Sequence, residues 1–152
     1  MPPKFSLQTV LDVRHSKVEA LEIELGQLMQ DRHQKEELLI SLQSAQSNLY
    51  ETLHERMTGE IDLFAIDHLR SNIHQLEDGI EMVNAAIQKL SEQIEQKRLS
   101  LIEAKKEEES LKILKNKEYD RYLEEEKEKE KRFIDDVYIS QGFRARKNEV
   151  WL

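Results

Sequence analysis

Cysteine is absent from this 152-residue chain, which excludes a disulfide framework and any thiolate metal site. That usage fits a reducing compartment, and the cytoplasm is the expected location. Proline occurs only as Pro2 and Pro3, so nothing beyond them interrupts a helix through a missing amide. Aromatic residues make up 6% of the chain and glycine occurs four times, too little for a wide apolar core or a loop-rich fold. No apolar run approaches the ~18 residues of a membrane span, and the opening "MPPKFSLQTVLDVRH" lacks the apolar centre of a secretory leader. Direct membrane insertion is therefore not expected. A net charge of -8, with lysines and arginines interleaved among more numerous acids, leaves no broad basic face for a phosphate backbone, so no nucleic-acid partner is expected either. Only "FRARK" near the end is locally basic.

What is abundant is charge, at 36% of residues, set against 38% apolar residues and dominated by Glu, Lys, Leu and Gln. That balance marks long helices joined along a narrow apolar seam. Apolar residues recur in steps of three and four at Leu7, Leu11, Val18, Leu21, Leu25, Leu28, Leu39, Leu42, Leu49 and Leu53, with polar interruptions at Arg14, Arg32, Lys35 and Gln46. Long side chains at such positions can lay their stems across the seam and keep the charge in water. A second, cleaner seam runs through Ile66, Leu69, Ile73, Leu76, Ile80, Val83, Ile87, Leu90, Ile94, Leu101, Ala104 and Leu111.

The two seams mirror each other about position 59. Folding the chain back there puts Leu53 opposite Ile66, Leu42 opposite Leu76, Leu25 opposite Ile94, Val18 opposite Leu101 and Leu7 opposite Leu111. Gly59 stands at the mirror point, where a residue without Cβ can take the left-handed conformation that closes a helix. Asp62 supplies an N-cap for the second helix. The expected fold is all-α: a long antiparallel two-helix coiled-coil hairpin, read as a single domain. Helix 1 spans about 6–57, the turn about 58–62 and helix 2 about 63–141, with Gly142 as a helix stop and a tail over 142–152. A parallel homodimeric coiled coil is the competing arrangement, since regular heptads agree in phase under either pairing.

Helix 2 is the longer arm. Helix 1 runs out opposite about Lys112 to Lys115, while "NKEYDRYLEEEKEKEKRFIDDVYISQ" remains helical in composition. The overhang would add roughly 40 Å to a hairpin of about 70 Å at ~1.5 Å per residue. Its Glu/Lys run is a solvated face supported by i to i+4 pairs, whereas "FIDDVYISQGF" carries apolar residues that need a partner to cover them.

Catalysis is not expected. The five histidines include no pair at the i to i+4 spacing of a helical metal site. Carboxylate runs such as "KEEESL", "LEEEKEKEK" and "IDDV" lack the unequal environments that separate a general acid from a base. No phosphate-cradling glycine loop or nucleophile elbow is present, and no cofactor is implied.

Three segments, in order, resemble FliJ-type flagellar export proteins. The opening "KFSLQTVLDVRHSKVEALEIELGQL" is similar to that family's aromatic residue followed by a Leu-Gln-x-Val-Leu segment and a long helix. The stretch "NLYETLHERMTGEIDLFAIDHLRSNIHQLEDGI" resembles its turn and its Leu-Glu-x-x-Ile helix start, and "KRFIDDVYISQGFRAR" its acidic pair, apolar residues and arginine. Stalk proteins of virulence type III secretion systems are similar, and that branch stays open here, as does a plain coiled-coil scaffold or adaptor.

The resemblance implies a non-catalytic stalk that enters a hexameric export ATPase, promotes its assembly or activity and links it to a membrane export gate protein and to export chaperones. It would act in the cytoplasm, at the inner face of the cell membrane when engaged with the gate, in flagellum biogenesis and motility. Carried over residue by residue, the ATPase-ring contacts would be Phe5, Leu7, Val10 and Leu11 together with Phe133, Ile134, Asp135, Asp136, Val137, Tyr138 and Arg144. The gate contacts would be Asn72, Leu76, Gly79 and Val83, of which Leu76 fits the family pattern while Asn72 and Gly79 depart from it. Leu76 and Val83 also belong to the hairpin seam.

Overall fold

The computed structural model describes residues 4–150. Two helices account for most of the described residues, α1 (Gln8–Arg56, 49 residues) and α2 (Leu63–Val150, 88 residues), and no strand occurs among them. The helices pack against each other as a helical hairpin with the second arm longer. By its internal packing the chain divides into two compact units: residues 17–104, and residues 1–16 with 105–152.

Within residues 17–104 the seam lies where the apolar spacing puts it. Val18, Ile66, Ile73, Val83, Ile94, Leu101 and Ala104 are buried, and Leu21, Leu25, Leu28, Leu39, Leu42, Leu49 and Leu53 are half-buried between them. Val18 packs with Leu101 and Ala104, flanked by Leu21 and Leu25, which is the antiparallel register. A two-helix seam leaves most of its members partly wet, so each contributes less than the ~1.5–3 kcal/mol of a fully buried aliphatic side chain. Stability has to come from the length of the repeat. At the interruptions, Arg32 and Gln46 are half-buried, whereas Lys35 leaves the seam and is exposed.

The turn results from three local choices. Gly59 has φ of 91°, the only positive φ among the described residues. Thr58 Oγ1 donates to the Glu55 carbonyl at 2.8 Å and takes up one of the acceptors left open where α1 ends. Asp62 Oδ1 accepts from the amides of Phe64 at 3.1 Å and Ala65 at 3.4 Å, and the Asp62 carbonyl accepts from Ile66, so α2 starts with its first donors satisfied.

In the unit formed by residues 1–16 and 105–152, the register near the start differs from expectation. Periodicity puts Leu7 opposite Leu111, yet Leu7 is exposed and Phe5 and Leu11 form the apolar cluster with Leu111. The reason is where α1 begins. Its first residue is Gln8, whose amide donates to the Phe5 carbonyl at 3.0 Å, so Leu7 sits in the entry turn ahead of the helix, and Phe5 takes the apolar position instead. At the other end α2 runs through Gly142 to Val150, in place of the expected stop and tail; residues 151 and 152 of that tail lie outside the described residues. An exposed glycine in a helix interior costs only about 1 kcal/mol relative to alanine, too little to end a helix whose neighbours favour it.

Candidate interaction surfaces

The short paired part of the unit formed by residues 1–16 and 105–152 is held by charge as well as by Phe5, Leu11 and Leu111. Glu108 occupies a seam position between Ala104 and Leu111 and is only 5% exposed, the one buried charged side chain among the described residues. His15 Nδ1 donates to Glu108 Oε1 at 2.8 Å, and Lys112 Nζ lies 3.0 Å from the same oxygen. Arg14 Nη1 donates to the Glu107 carbonyl at 3.0 Å, so this interruption of the seam is used as a cross-helix bond. The His15 bond, then the Lys112 bond, hold the Glu108 carboxyl below its ordinary range, and Glu108 in turn raises Lys112. The seam read from apolar spacing passes from Ala104 to Leu111 and over Glu108. The signal is there all the same: Glu108 stands three residues before Leu111 and four after Ala104, the spacing of a seam.

Of the positions that resemblance assigns to an ATPase ring, Phe5 and Leu11 are committed to this internal cluster, while Leu7 and Val10 are exposed. The second group lies on the part of α2 that has no helix alongside it. Every described residue from 123 to 146 is exposed, including Phe133 at 69% and Tyr138 at 77%, with Ile134, Asp135, Asp136, Val137 and Arg144. At 3.6 residues per turn, Phe133, Val137 and Arg144 line one stripe and Ile134 and Tyr138 the adjoining one, while Ile139 and Phe143 point to the opposite side. The segment is thus apolar around most of its circumference. Gly142, with no side chain, leaves a shallow notch among Tyr138, Ile139, Phe143 and Arg146.

The positions that resemblance assigns to an export gate lie in the unit of residues 17–104 and face inward. Val83 is buried; Asn72, Leu76 and Gly79 are half-buried, and a Cβ added to Gly79 would stand 3.9 Å from Leu42 Cδ1. At the closed end of the hairpin Met57, Ile61, Leu63 and Phe64 are exposed apolar residues that the seam does not use, the last 85% exposed. These residues fall outside the repeat, so periodicity does not single them out.

Elsewhere in that unit cross-helix polar bonds flank the seam, with Tyr50 donating to Glu77 at 3.0 Å and Lys97 paired with Glu24. The bond to Glu77 raises the Tyr50 hydroxyl above its ordinary value. Histidines 33 and 74 pair with acids one turn away on their own helices. Among the described residues no three His, Cys, Asp or Glu side chains come together in a way that could hold a metal ion, and no helix is long and apolar enough to cross a membrane.

A family model described as "Flagellar FliJ protein" matches residues 3–147, nearly the whole chain. Comparison with curated proteins and with solved structures finds no match.

Proposed function

This chain belongs to the flagellar FliJ protein family, a non-catalytic component of flagellar protein export, and we propose that it acts as the stalk of the export ATPase. In this reading the unpaired part of α2 enters the ring lumen of the hexameric ATPase and promotes its assembly or turnover. The chain also joins the ring to the membrane export gate and to export chaperones, working in the cytoplasm close to the membrane.

The observation that carries the proposal is the bare end of α2. A helix covered with apolar residues around most of its circumference has to be enclosed, because a single flat partner would leave half of them in water. Phe133, Ile134, Val137 and Tyr138, with Ile139 and Phe143 behind them, fit a site that surrounds a helix, such as the lumen of a ring. Before them the Glu/Lys run from Glu124 to Lys131 is exposed, with Lys129 paired to Glu126 one turn away, which suits a solvated spacer ahead of the apolar end. The exposed stretch of α2 from residue 123 to residue 146 is roughly 36 Å long at ~1.5 Å per residue. Asp135, Asp136 and Arg144 supply charge to fix orientation, and Leu7 and Val10 offer a smaller second contact.

The test is ATP hydrolysis by the host's export ATPase with the full chain and with a chain lacking its last twenty residues. The shortened chain loses the helical residues 133–150 and is expected to keep the paired helices folded with an unchanged melting temperature and to lose stimulation. Stimulation retained at the full level would overturn the assignment of the ring contact to this segment.

A further inference from the structure

We infer that the hairpin carries a joint at residues 29–38 of α1 and 84–93 of α2, where the two helices part and bend while the packed stretches on either side stay closed. Several observations coincide there, all within residues 17–104. Between Leu28 and Leu39, about three turns of α1, Arg32 is the only residue that is not exposed. Facing it, no residue of α2 is buried between Val83 and Ile94, and Ala86, Ile87, Leu90 and Ser91 are half-buried.

Polar bonds across the seam stop at the same borders. Glu24 pairs with Lys97 on one side and Tyr50 donates to Glu77 on the other, and among the described residues no hydrogen bond or ion pair joins α1 to α2 between them. Arg32 does not supply one. Its Nε lies 3.8 Å from Glu36 Oε1, one turn along its own helix. Open hollows stand where packing would be: Asp31, Gln34 and Lys35 line one with Ala86, Lys89 and Gln93, and Leu28 lines a second with Gln93 and Lys97.

An apolar side chain enclosed between two helices returns to water when they part, and that cost keeps them together. Arg32 adds little of it, because its stem lies over the seam while its charge stays in water whether the helices are closed or apart. Each helix nevertheless holds its own shape here. Neither segment contains glycine or proline, and the Arg32–Glu36 and His33–Glu37 pairs run along α1. The motion is therefore a parting and bending of two intact helices, a local opening of low cost within a rod whose flanks stay packed. Val18 keeps its contact with Leu101 and Ala104 on one side, and Ile66 and Ile73 stay buried on the other, so the closed end changes direction without a change of register.

The test measures distances across the seam in the full chain. Because the chain has no cysteine, spin labels attach only where cysteines are introduced. Three double variants at exposed positions serve: Gln34→Cys with Ala85→Cys in the joint, and Ala20→Cys with Leu99→Cys and Ser47→Cys with Ser71→Cys in the flanks. Each is diluted with unlabelled chain so that only distances within one molecule are read. The flanking pairs are expected to give single narrow distance distributions, and the joint pair a broad one with an added component at longer distance. Arg32→Leu extends the apolar seam and is expected to remove the longer component and raise the denaturation midpoint; Arg32→Met, with an unbranched side chain, should act in the same way. A joint pair as narrow as the flanking pairs would overturn the inference. So would a longer component that survives both substitutions, or a midpoint that both of them lower.

Discussion

His15 Nδ1 stands 2.8 Å from Glu108 Oε1, joining an exposed histidine near the start of α1 to a carboxylate that α1 and α2 together shut away from water. The bond sits beside the Phe5, Leu11 and Leu111 cluster and makes the docking of residues 4–16 on α2 partly electrostatic.

Acid should loosen that docking first. The Glu108 carboxyl is held below its ordinary value near 4.5, so its pairing contributes fully above that value and is lost as pH falls through the depressed one. Amide exchange in the first turns of α1 is expected to quicken in that window before residues 17–104 respond, and Glu108→Gln should remove much of the pH dependence. Lys112, whose value is raised above 10.5, works in the opposite sense: its share is present below 10.5 and lost as pH rises beyond it.

Replacing Gly59 by alanine meets no atom within 4 Å, so its cost is conformational alone. With φ at 91° the added Cβ should destabilise the hairpin by about 1 kcal/mol. A chemical denaturation midpoint equal to that of the parent would mean that the turn does not depend on the left-handed residue.

Asp62→Ala removes the acceptor for two amides and should cost about 1 kcal/mol, whereas Asp62→Asn should retain most of that contribution. Thermal melts of the two variants side by side separate the cap from a general effect of charge.

Leu101→Ala opens a hole against Val18 and Ala104. Seam residues are only partly enclosed and their neighbours can close in, so a loss of about 2 kcal/mol is expected, the low end for such substitutions. Ile102→Ala, one residue along and 42% exposed, should change the denaturation midpoint little.

Much of this fold can be read before any coordinates. Alternation of three and four between apolar residues, the lack of proline after Pro3 and the mirror symmetry of the two seams about Gly59 are properties of the chain alone, and they specify two antiparallel helices and their turn. The heptad repeat fixes the stripe that each helix buries but agrees in phase with a parallel dimer as well, and the break of both seams at Gly59 is what points to the hairpin. The exposed end of α2 is legible too, since the apolar spacing of the first helix starts opposite Leu111 and the apolar residues from Phe133 onward lie well beyond that point.

Three things waited for the tertiary structure: the entry of Phe5 in place of Leu7, the burial of Glu108 beneath His15, and the free standing of Leu63 and Phe64 at the tip. Each depends on where a helix begins or ends, and therefore on which side chains meet across the seam. Periodicity sets the phase of a helix but not its terminus, and a carboxylate or an aromatic ring acquires its environment only when the opposite arm of the hairpin arrives or fails to arrive.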